Sequence, residues 1–510
     1  MSTFSTDFVR LTNGQSVALD SVPVLDLERF HASIVAGVRG GCRVSALFGA
    51  ASPQPDATRL YAVLADDDQN LLLAAAADVT GDAYPSLTRQ CAQVHMFERE
   101  IAEQFGLRPE GHPWLKPVRY RRSWTDRDVW QRSADETILP AVGDFYRVDG
   151  EQVHEVAVGP VHAGVIEPGH FRFQCYGETV FHLEIALGYQ HRGIEETLLG
   201  GPDARTIHLI ETLAGDTSVA HATAYCQVSE ALAGCAATAR GQALRGIALE
   251  LERMATHIGD IGALSGDVAY LPTASFCGRI RGDVLNMTAL LCGSRFGRGL
   301  VRPGGVGFDA DAERMAELRR RLDACEKDAR VAIELLWRTS SAMVRFEEVG
   351  AVPRAIAVEL GLVGPAARAT GLARDIRRDQ PSGIFNTAQI PVATCKTGDV
   401  YARAYVRWLE IQHAIAFIRE QINALPEGAA RTPVTACVSE RFAVALVEGL
   451  RGEVCHVAVT DASGRFTRYK VVDASFHNWP GLAYALRDEE ISDFPICNKS
   501  FNLSYCGHDL

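Results

Sequence analysis

Residues 241–266 read GQALRGIALELERMATHIGDIGALSG. Leu244, Ile247, Leu251, Met254, Ile258 and Ile261 recur at spacings of three and four, so they fall on one face of a helix about seven turns long. Two further stripes follow. Met315, Leu318, Leu322, Cys325, Ala329, Ile333 and Leu336 form one, and Ile411, Ile415, Ile418, Ile422 and Leu425 form the other, which stops before Pro426. Such stripes are core and not cofactor boxes, and three long ones predict a helical bundle. Outward from it, toward the C-terminal side, Glu453–Thr460, a turn at Asp461-Ala-Ser-Gly464 and Arg465–Val472 give a hairpin pattern. The fold class is therefore α+β: a small N-terminal α/β domain ahead of a mainly helical large domain, with a bundle core and a small antiparallel sheet.

The N-terminal part alternates element types. Asp26–Arg39 is helix-like, with Leu27, Phe30, Ile34 and Val35 at helical spacing. Residues 42–49, 60–64 and 71–77 read as strands, separated by Pro53 and Pro55 and by Asp66-Asp-Asp-Gln69. Phe97–Phe105 reads as a helix stopped by Gly106. An arginine- and tryptophan-rich segment, Lys116 to about Ser133, then leads out, with Trp114 just before it. It is either a linker packed on the domain surface or an interface arm, since Arg and Trp suit buried contacts. The expected units are residues 1–135 and 145–510, with no internal repeat and no low-complexity tract.

The chain has 510 residues, 47% of them hydrophobic and 22% charged, which excludes a disordered or collagen-like chain. Lys and Arg total 51 against 63 Asp and Glu, a net charge of −12, the wrong sign for an electrostatic nucleic-acid binder. The first twenty residues lack the order of a signal peptide, and no apolar run is long enough to span a bilayer. Thirteen cysteines, with no CxxC, predict reduced thiols of a cytosolic compartment.

Four segments concentrate chemistry-bearing residues. Gly159-Pro-Val-His162-Ala-Gly164-Val-Ile-Glu167-Pro-Gly169-His170 is a shaped loop whose His162, Glu167 and His170 either line a cavity or are hydrogen-bonded structural groups. Tyr189-Gln-His191-Arg192-Gly193-Ile-Glu195-Glu196 suits a charged network beside a redox centre or anion, or an ordinary salt-bridged turn. Asp216-Thr217 precedes His221 and Tyr225, too few soft ligands for a metal. Cys497 and Cys506 stand nine apart near His508, a spacing that reads as two structural thiols. Val301-Arg302-Pro303-Gly304-Gly305-Val306 lacks both the GxGxxG pattern and a GK[ST] ending.

Taken together, these segments resemble the catalytic large subunit of membrane-bound, energy-converting [NiFe] hydrogenases of the formate hydrogenlyase and hydrogenase-4 type, and the related 49 kDa subunit of respiratory complex I. Glu98-Arg-Glu100, Phe105-Gly106 and Gly111-His112-Pro113 resemble the 30 kDa complex I subunit, fused in front. The large-subunit matches are Gly159-Pro-Val-His162, Glu167-Pro-Gly-His170-Phe-Arg172, His191-Arg-Gly193, Glu252-Arg253 with His257, and Arg302-Pro-Gly-Gly305. Thr397-Gly-Asp399-Val-Tyr-Ala-Arg403, Arg451-Gly-Glu453 and Ser475-Phe-His-Asn-Trp-Pro480 complete the set.

The resemblance implies a peripheral subunit on the cytoplasmic face of the inner membrane, resting on an iron–sulfur small subunit and on membrane-embedded subunits. Its chemistry would be of the NADH:quinone dehydrogenase kind, NAD being a family-level association, and not that of a true hydrogenase. The family's nickel-ligand positions fall on Ala214, Thr217, Ser504 and Gly507, with Cys506 one step out of register, so no metal is expected. His162 aligns with one of the tandem histidines of complex I and His170 is set against the other, while the tyrosine of the quinone site has no convincing counterpart. By carry-over, His162, His170 and His221 would donate protons or hydrogen bonds, Glu167 and Glu453 would relay protons, and Arg451 would hold a polar substrate. His191 and Arg192 would approach the partner's [4Fe–4S] cluster, the chain itself binding no cofactor and quinone being the candidate substrate. The alternatives are a non-catalytic scaffold or electron-transfer subunit, and a [NiFe] catalytic subunit with atypical ligands.

Overall fold

The computed structural model describes residues 6–510; the first five residues, where the reading of the N-terminus begins, lie outside the described residues. The N-terminal sheet runs in the order Val9–Leu11, Leu71–Thr80, Ala57–Asp66, Arg43–Ala51, all antiparallel, and Val24–Leu25 pairs parallel to Leu71–Thr80. Its three long strands are nearly all buried, because one face carries the helix Leu27–Arg39 and the other meets the rest of the molecule. The Asp26 carboxylate caps that helix by accepting from the Arg29 amide. The helix His95–Phe105 ends on Gly106 at φ 61°, a left-handed position that glycine adopts without strain.

All three striped segments are helices, spanning Ala239–Asp267, Ala312–Trp337 and Val400–Asn423. Thr238, Asp311 and Asp399 cap them. Ser218–Ala233 and Leu271–Cys292 complete the bundle. Leu271–Cys292 carries a less apolar stripe, its buried face including Thr273, Cys277 and Thr288 beside Ile280, Val284, Met287 and Leu291. It packs along Ala239–Asp267, where Cys277 lies so close to Gly262 that a Cβ there would sit 2.6 Å away.

The predicted hairpin is present as Gly452–Thr460 and Phe466–Val472. It belongs to a four-stranded antiparallel sheet continued by Arg441–Gly449 and by Gln15–Ala18, with Phe442 opposite Val17. A strand from the start of the chain thus completes a sheet near its end. One apolar core then runs through both parts: Phe48, Tyr61 and Val63 pack with Phe442, Val444, Val457 and Phe476. The Tyr61 and Phe442 rings lie 5.5 Å apart.

The arginine- and tryptophan-rich segment packs against its own chain. Arg119 is buried, paired with Glu100, and donates to the His508 carbonyl at 3.0 Å. Trp124 meets Phe105 edge-on at 5.4 Å and takes the Arg468 guanidinium at 4.7 Å from its ring. All thirteen cysteines are free thiols. Among the described residues, no helix is long and apolar enough to cross a membrane.

The shared core predicts joint unfolding. Phe442→Ala should cost about 3–5 kcal/mol and lower one common melting transition, followed by circular dichroism and by tryptophan fluorescence. Two separate transitions, or an unchanged melting temperature, would contradict it.

Candidate functional site

Backbone contacts, more than its histidines, shape the 159–170 loop. Gly159 sits at φ 94°, and a Cβ there would lie 1.8 Å from the Gly169 carbonyl oxygen; one on Gly169 would lie 2.7 Å from the Tyr505 ring. Only glycines allow these approaches, and they seat the loop on residues 502–510. His162 stands on the exposed crown beside Val161, which is 88% exposed, and its Nδ1 accepts from the Gly164 amide at 3.0 Å. Glu167 turns inward, its Oε2 accepting from Gln190 Nε2 at 2.7 Å and from the Cys506 amide at 3.4 Å.

Arg451 occupies the turn between Arg441–Gly449 and Gly452–Thr460. Gly452 (φ 125°) and Gly364 (φ 64°) cross there so closely that a Cβ on Gly364 would lie 2.2 Å from the Arg451 carbonyl oxygen. The buried guanidinium makes a bidentate pair with Asp216 (2.7 and 2.8 Å), donates to Thr217 Oγ1 at 3.1 Å and caps the Asn502 carbonyl. Burial opposes the charge on Asp216, but Arg451 holds its carboxyl below the usual range.

These groups border a cavity of about 300 Å³ whose wall includes Glu167, Asp216, Asp260, Arg281, Arg451 and Lys499. Lys499 Nζ lies 3.3 Å from Asp260, which also accepts from Arg407 Nε at 3.1 Å. Three carboxylates and three cations make a polar pocket suited to a neutral, hydrogen-bonding ligand that exchanges protons.

The donors around this cavity do not fit a nickel–iron centre. Ala214 offers no ligand, and Gly507 has no side chain. Thr217 Oγ1 is engaged by Arg451, and Ser504 Oγ accepts from the Gly507 amide at 2.9 Å as a helix cap. No thiolate replaces them: burial raises the Cys506 thiol, and its Sγ lies 3.4 Å from Ser504 Oγ. Among the described residues, no group of three or more His, Cys, Asp or Glu side chains is arranged to hold a metal ion.

Behind Arg451 runs a buried polar chain. His221 Nε2 lies 3.1 Å from Asp473 Oδ2, His221 Nδ1 lies 3.0 Å from His456 Nε2, and His456 Nδ1 lies 2.8 Å from the Tyr469 hydroxyl. Despite burial, the bond from His221 and the nearby Arg451 hold Asp473 at about 2. Burial keeps His456 well below the usual histidine range and therefore neutral.

The remaining expected residues lie apart from the cavity. His170 opens its strand with Nε2 accepting from Arg172 Nε at 3.2 Å and its ring 5.2 Å from Phe145. His191 Nδ1 lies 2.7 Å from the Asp509 carbonyl oxygen, and burial together with Arg119 pushes it down to about 4. Arg192 is exposed and donates to the Thr212 and Leu213 carbonyls. Glu453 is buried against Arg43 of the N-terminal sheet, and burial raises it. The structure thus brings Glu167 and Arg451 together, sets His221 behind them, and separates His162, His170, His191 and Glu453. Asp260, Arg281, Lys499, Asp473, His456 and Tyr469 had no motif of their own. Asp260 carried one usable signal, three residues after His257 on the long helix, whereas nothing in the sequence points Lys499 at it.

Comparison with known proteins agrees with this architecture. Residues 35–132 match the family described as the respiratory-chain NADH dehydrogenase 30 Kd subunit, and residues 267–441 match the 49 Kd subunit. The carbon monoxide-induced hydrogenase of Rhodospirillum rubrum is 30% identical over 350 residues, covering 68% of this chain and 97% of that protein. Formate hydrogenlyase subunit 5 of Escherichia coli is 28% identical over 84% of this chain and 77% of its own length. An NADH-quinone oxidoreductase subunit of Dehalococcoides mccartyi is 28% identical over 62% of this chain and 86% of its own.

Glu252, buried close to Asp216 but outside the cavity lining, supplies a pH test. Its carboxyl accepts from the Val219 and Ala220 amides at 2.6 and 3.1 Å, at the start of the helix Ser218–Ala233, and burial pushes it from 4.5 up to about 8. The folded chain therefore holds a proton that the unfolded chain releases. This contribution to stability is full below pH 4.5 and is lost as pH rises through about 8. Glu252→Gln should flatten the fall in melting temperature across that window; an unchanged slope would show that Glu252 titrates normally.

Proposed function

This chain belongs to the complex I and hydrogenase-4 (formate hydrogenlyase) large-subunit family, in the form that carries a 30 kDa-like region ahead of a 49 kDa-like one, and on that premise we propose that it couples electron transfer to quinone or proton chemistry without nickel. It acts as a peripheral subunit of a membrane-bound oxidoreductase on the cytoplasmic face of the inner membrane. It rests on an iron–sulfur small subunit, whose [4Fe–4S] cluster lies toward His191 and Arg192, and on membrane-embedded subunits. The chemistry is closer to that of an NADH:quinone dehydrogenase than to that of a hydrogenase.

One observation supports this reading: a bidentate Arg451–Asp216 pair borders a polar cavity. A guanidinium there can donate to a carbonyl oxygen. Reduction of a quinone takes two electrons, delivered from the neighbouring cluster, and two protons. Glu167, half-buried on the wall, passes protons to the bound ring oxygens, and Asp473 with His221 resupplies the pocket from behind Arg451. His162, exposed on the loop crown, meets the substrate only once the loop is covered by the assembly. His170 and Glu453 act from farther away, as part of the proton supply.

A scaffold role without a substrate draws on one feature. Every polar hydrogen-bonding nitrogen of Arg451 already has a partner within the chain.

In the purified assembly, metal analysis should find no nickel at stoichiometric level. Glu167→Gln should lower reduction of a short-chain benzoquinone by about 10²-fold with subunit composition intact. Unchanged turnover would favour the scaffold, and one nickel per chain would overturn the nickel-free reading.

A further inference from the structure

A second and larger cavity, of about 620 Å³, lies on the other side of the helix Tyr505–Asp509. The Cys506 amide faces Glu167, whereas His508 lines this second space. Its walls come from both halves of the chain: the helix His95–Phe105, residues 112–118, the strand Thr179–Ala186 and the helices Arg354–Leu360 and Ala474–Ala485.

Arg99 is the charge in this wall that lacks an acidic partner. Its Nε donates to the Lys116 carbonyl at 2.9 Å and its Nη2 to the Pro117 carbonyl at 2.8 Å, while Nη1 reaches only the Met96 sulfur at 3.4 Å. Among the described residues, no carboxylate pairs with it. Burial pulls it below the usual arginine range, outweighing the nearby Tyr120, Glu184 and Glu103, none of which is within pairing distance. The other charges are accounted for. Glu184 is paired with Lys116 and accepts from Trp114 Nε1 at 2.8 Å and the Tyr146 amide at 2.7 Å. Arg487 and Glu359 are exposed and of opposite sign. His95, His112, His182 and His508 are all shifted down by burial, so they stay neutral at pH 7.

The rest of the wall is aromatic. Trp114 meets Tyr146 edge-on at 6.0 Å, Tyr146 lies 4.9 Å from His182, and Trp479, though buried, leaves its Nε1 without a hydrogen-bond partner. A lone guanidinium fork set in ring-lined walls recognises a planar ring bearing one negative charge. A phosphoryl dianion would leave charge unmatched, because Arg99 is the single unpaired cation in the interior of the wall.

We propose that this cavity is a binding site for a small aromatic carboxylate, its carboxylate on Arg99 and its ring between Trp114, Tyr146 and Tyr484. The site is independent of the Arg451 cavity and of the function proposed for it.

Isothermal titration of the full chain with 2-naphthoate tests this, with neutral 2-naphthamide as the control. The carboxylate should bind saturably at one site, and the amide about tenfold or more weakly. Arg99→Lys, which keeps the charge and loses the fork, should weaken naphthoate about tenfold. Because Arg99 also tethers residues 116 and 117, Ala483→Trp provides a second arm: it fills the cavity from the helix Ala474–Ala485 and should abolish binding with the melting temperature retained. Equal binding of acid and amide, full binding by a folded Ala483→Trp chain, or no saturable binding would overturn the proposal.

Discussion

Both cavities depend on the burial of residues 502–510. The Asp509 carboxylate takes the Gly188 and Gln190 amides at 2.8 and 2.9 Å, its carbonyl meets His191, and the Leu510 carbonyl accepts from the Arg192 and Gly193 amides. A buried carboxylate is costly unless its oxygens are satisfied, and here backbone amides leading into the His191-Arg-Gly193 turn satisfy them. The segment cannot leave without exposing an unpaired charge and orphaned amides. Held in place, it supplies the Asn502 carbonyl that Arg451 caps, the Cys506 amide that Glu167 accepts from, and the Tyr505 ring that closes on Gly169.

A second set of buried charges sets how the N-terminal sheet meets the rest. Glu195 receives Arg468 Nη2, Lys470 Nζ and the Val471 amide, while Glu100 receives Arg119 and Lys470. Arg43 reaches across to Glu453. Desolvation consumes much of the Coulomb gain of such pairs, so their main effect is selective: a slipped arrangement would leave several charges buried and unpaired. Glu453, read in sequence as a proton relay beside Arg451, is held by this interface, and that leaves Arg451 to face the cavity while its near neighbour faces the sheet.

The long helices were legible because burial of one face imposes a 3.6-residue period on the sequence, and the hairpin because two strand-like runs flank the turn residues Asp461-Ala-Ser-Gly464. Leu271–Cys292 was not, since its buried face mixes the small or polar Thr273, Cys277 and Thr288 with Ile280, Val284, Met287 and Leu291, while Leu271 and Phe276 stand exposed. The added strand Gln15–Ala18 was invisible for another reason: its partner lies more than 420 residues away in the chain, and an edge strand of four residues has no periodicity to read.

What the sequence determined by itself was chemical identity: which residue types stand at the motif positions, and hence the absence of sulfur donors at Ala214, Thr217, Ser504 and Gly507. Ligand chemistry is a property of the side chain and needs no coordinates. Only the tertiary structure decided which of those side chains meet. Arg451 finds Asp216, Lys499 finds Asp260 and His221 finds His456 across separations of more than 230 residues. A contact closed over such a loop is chosen by the packing of every element between its ends, and no local pattern encodes it.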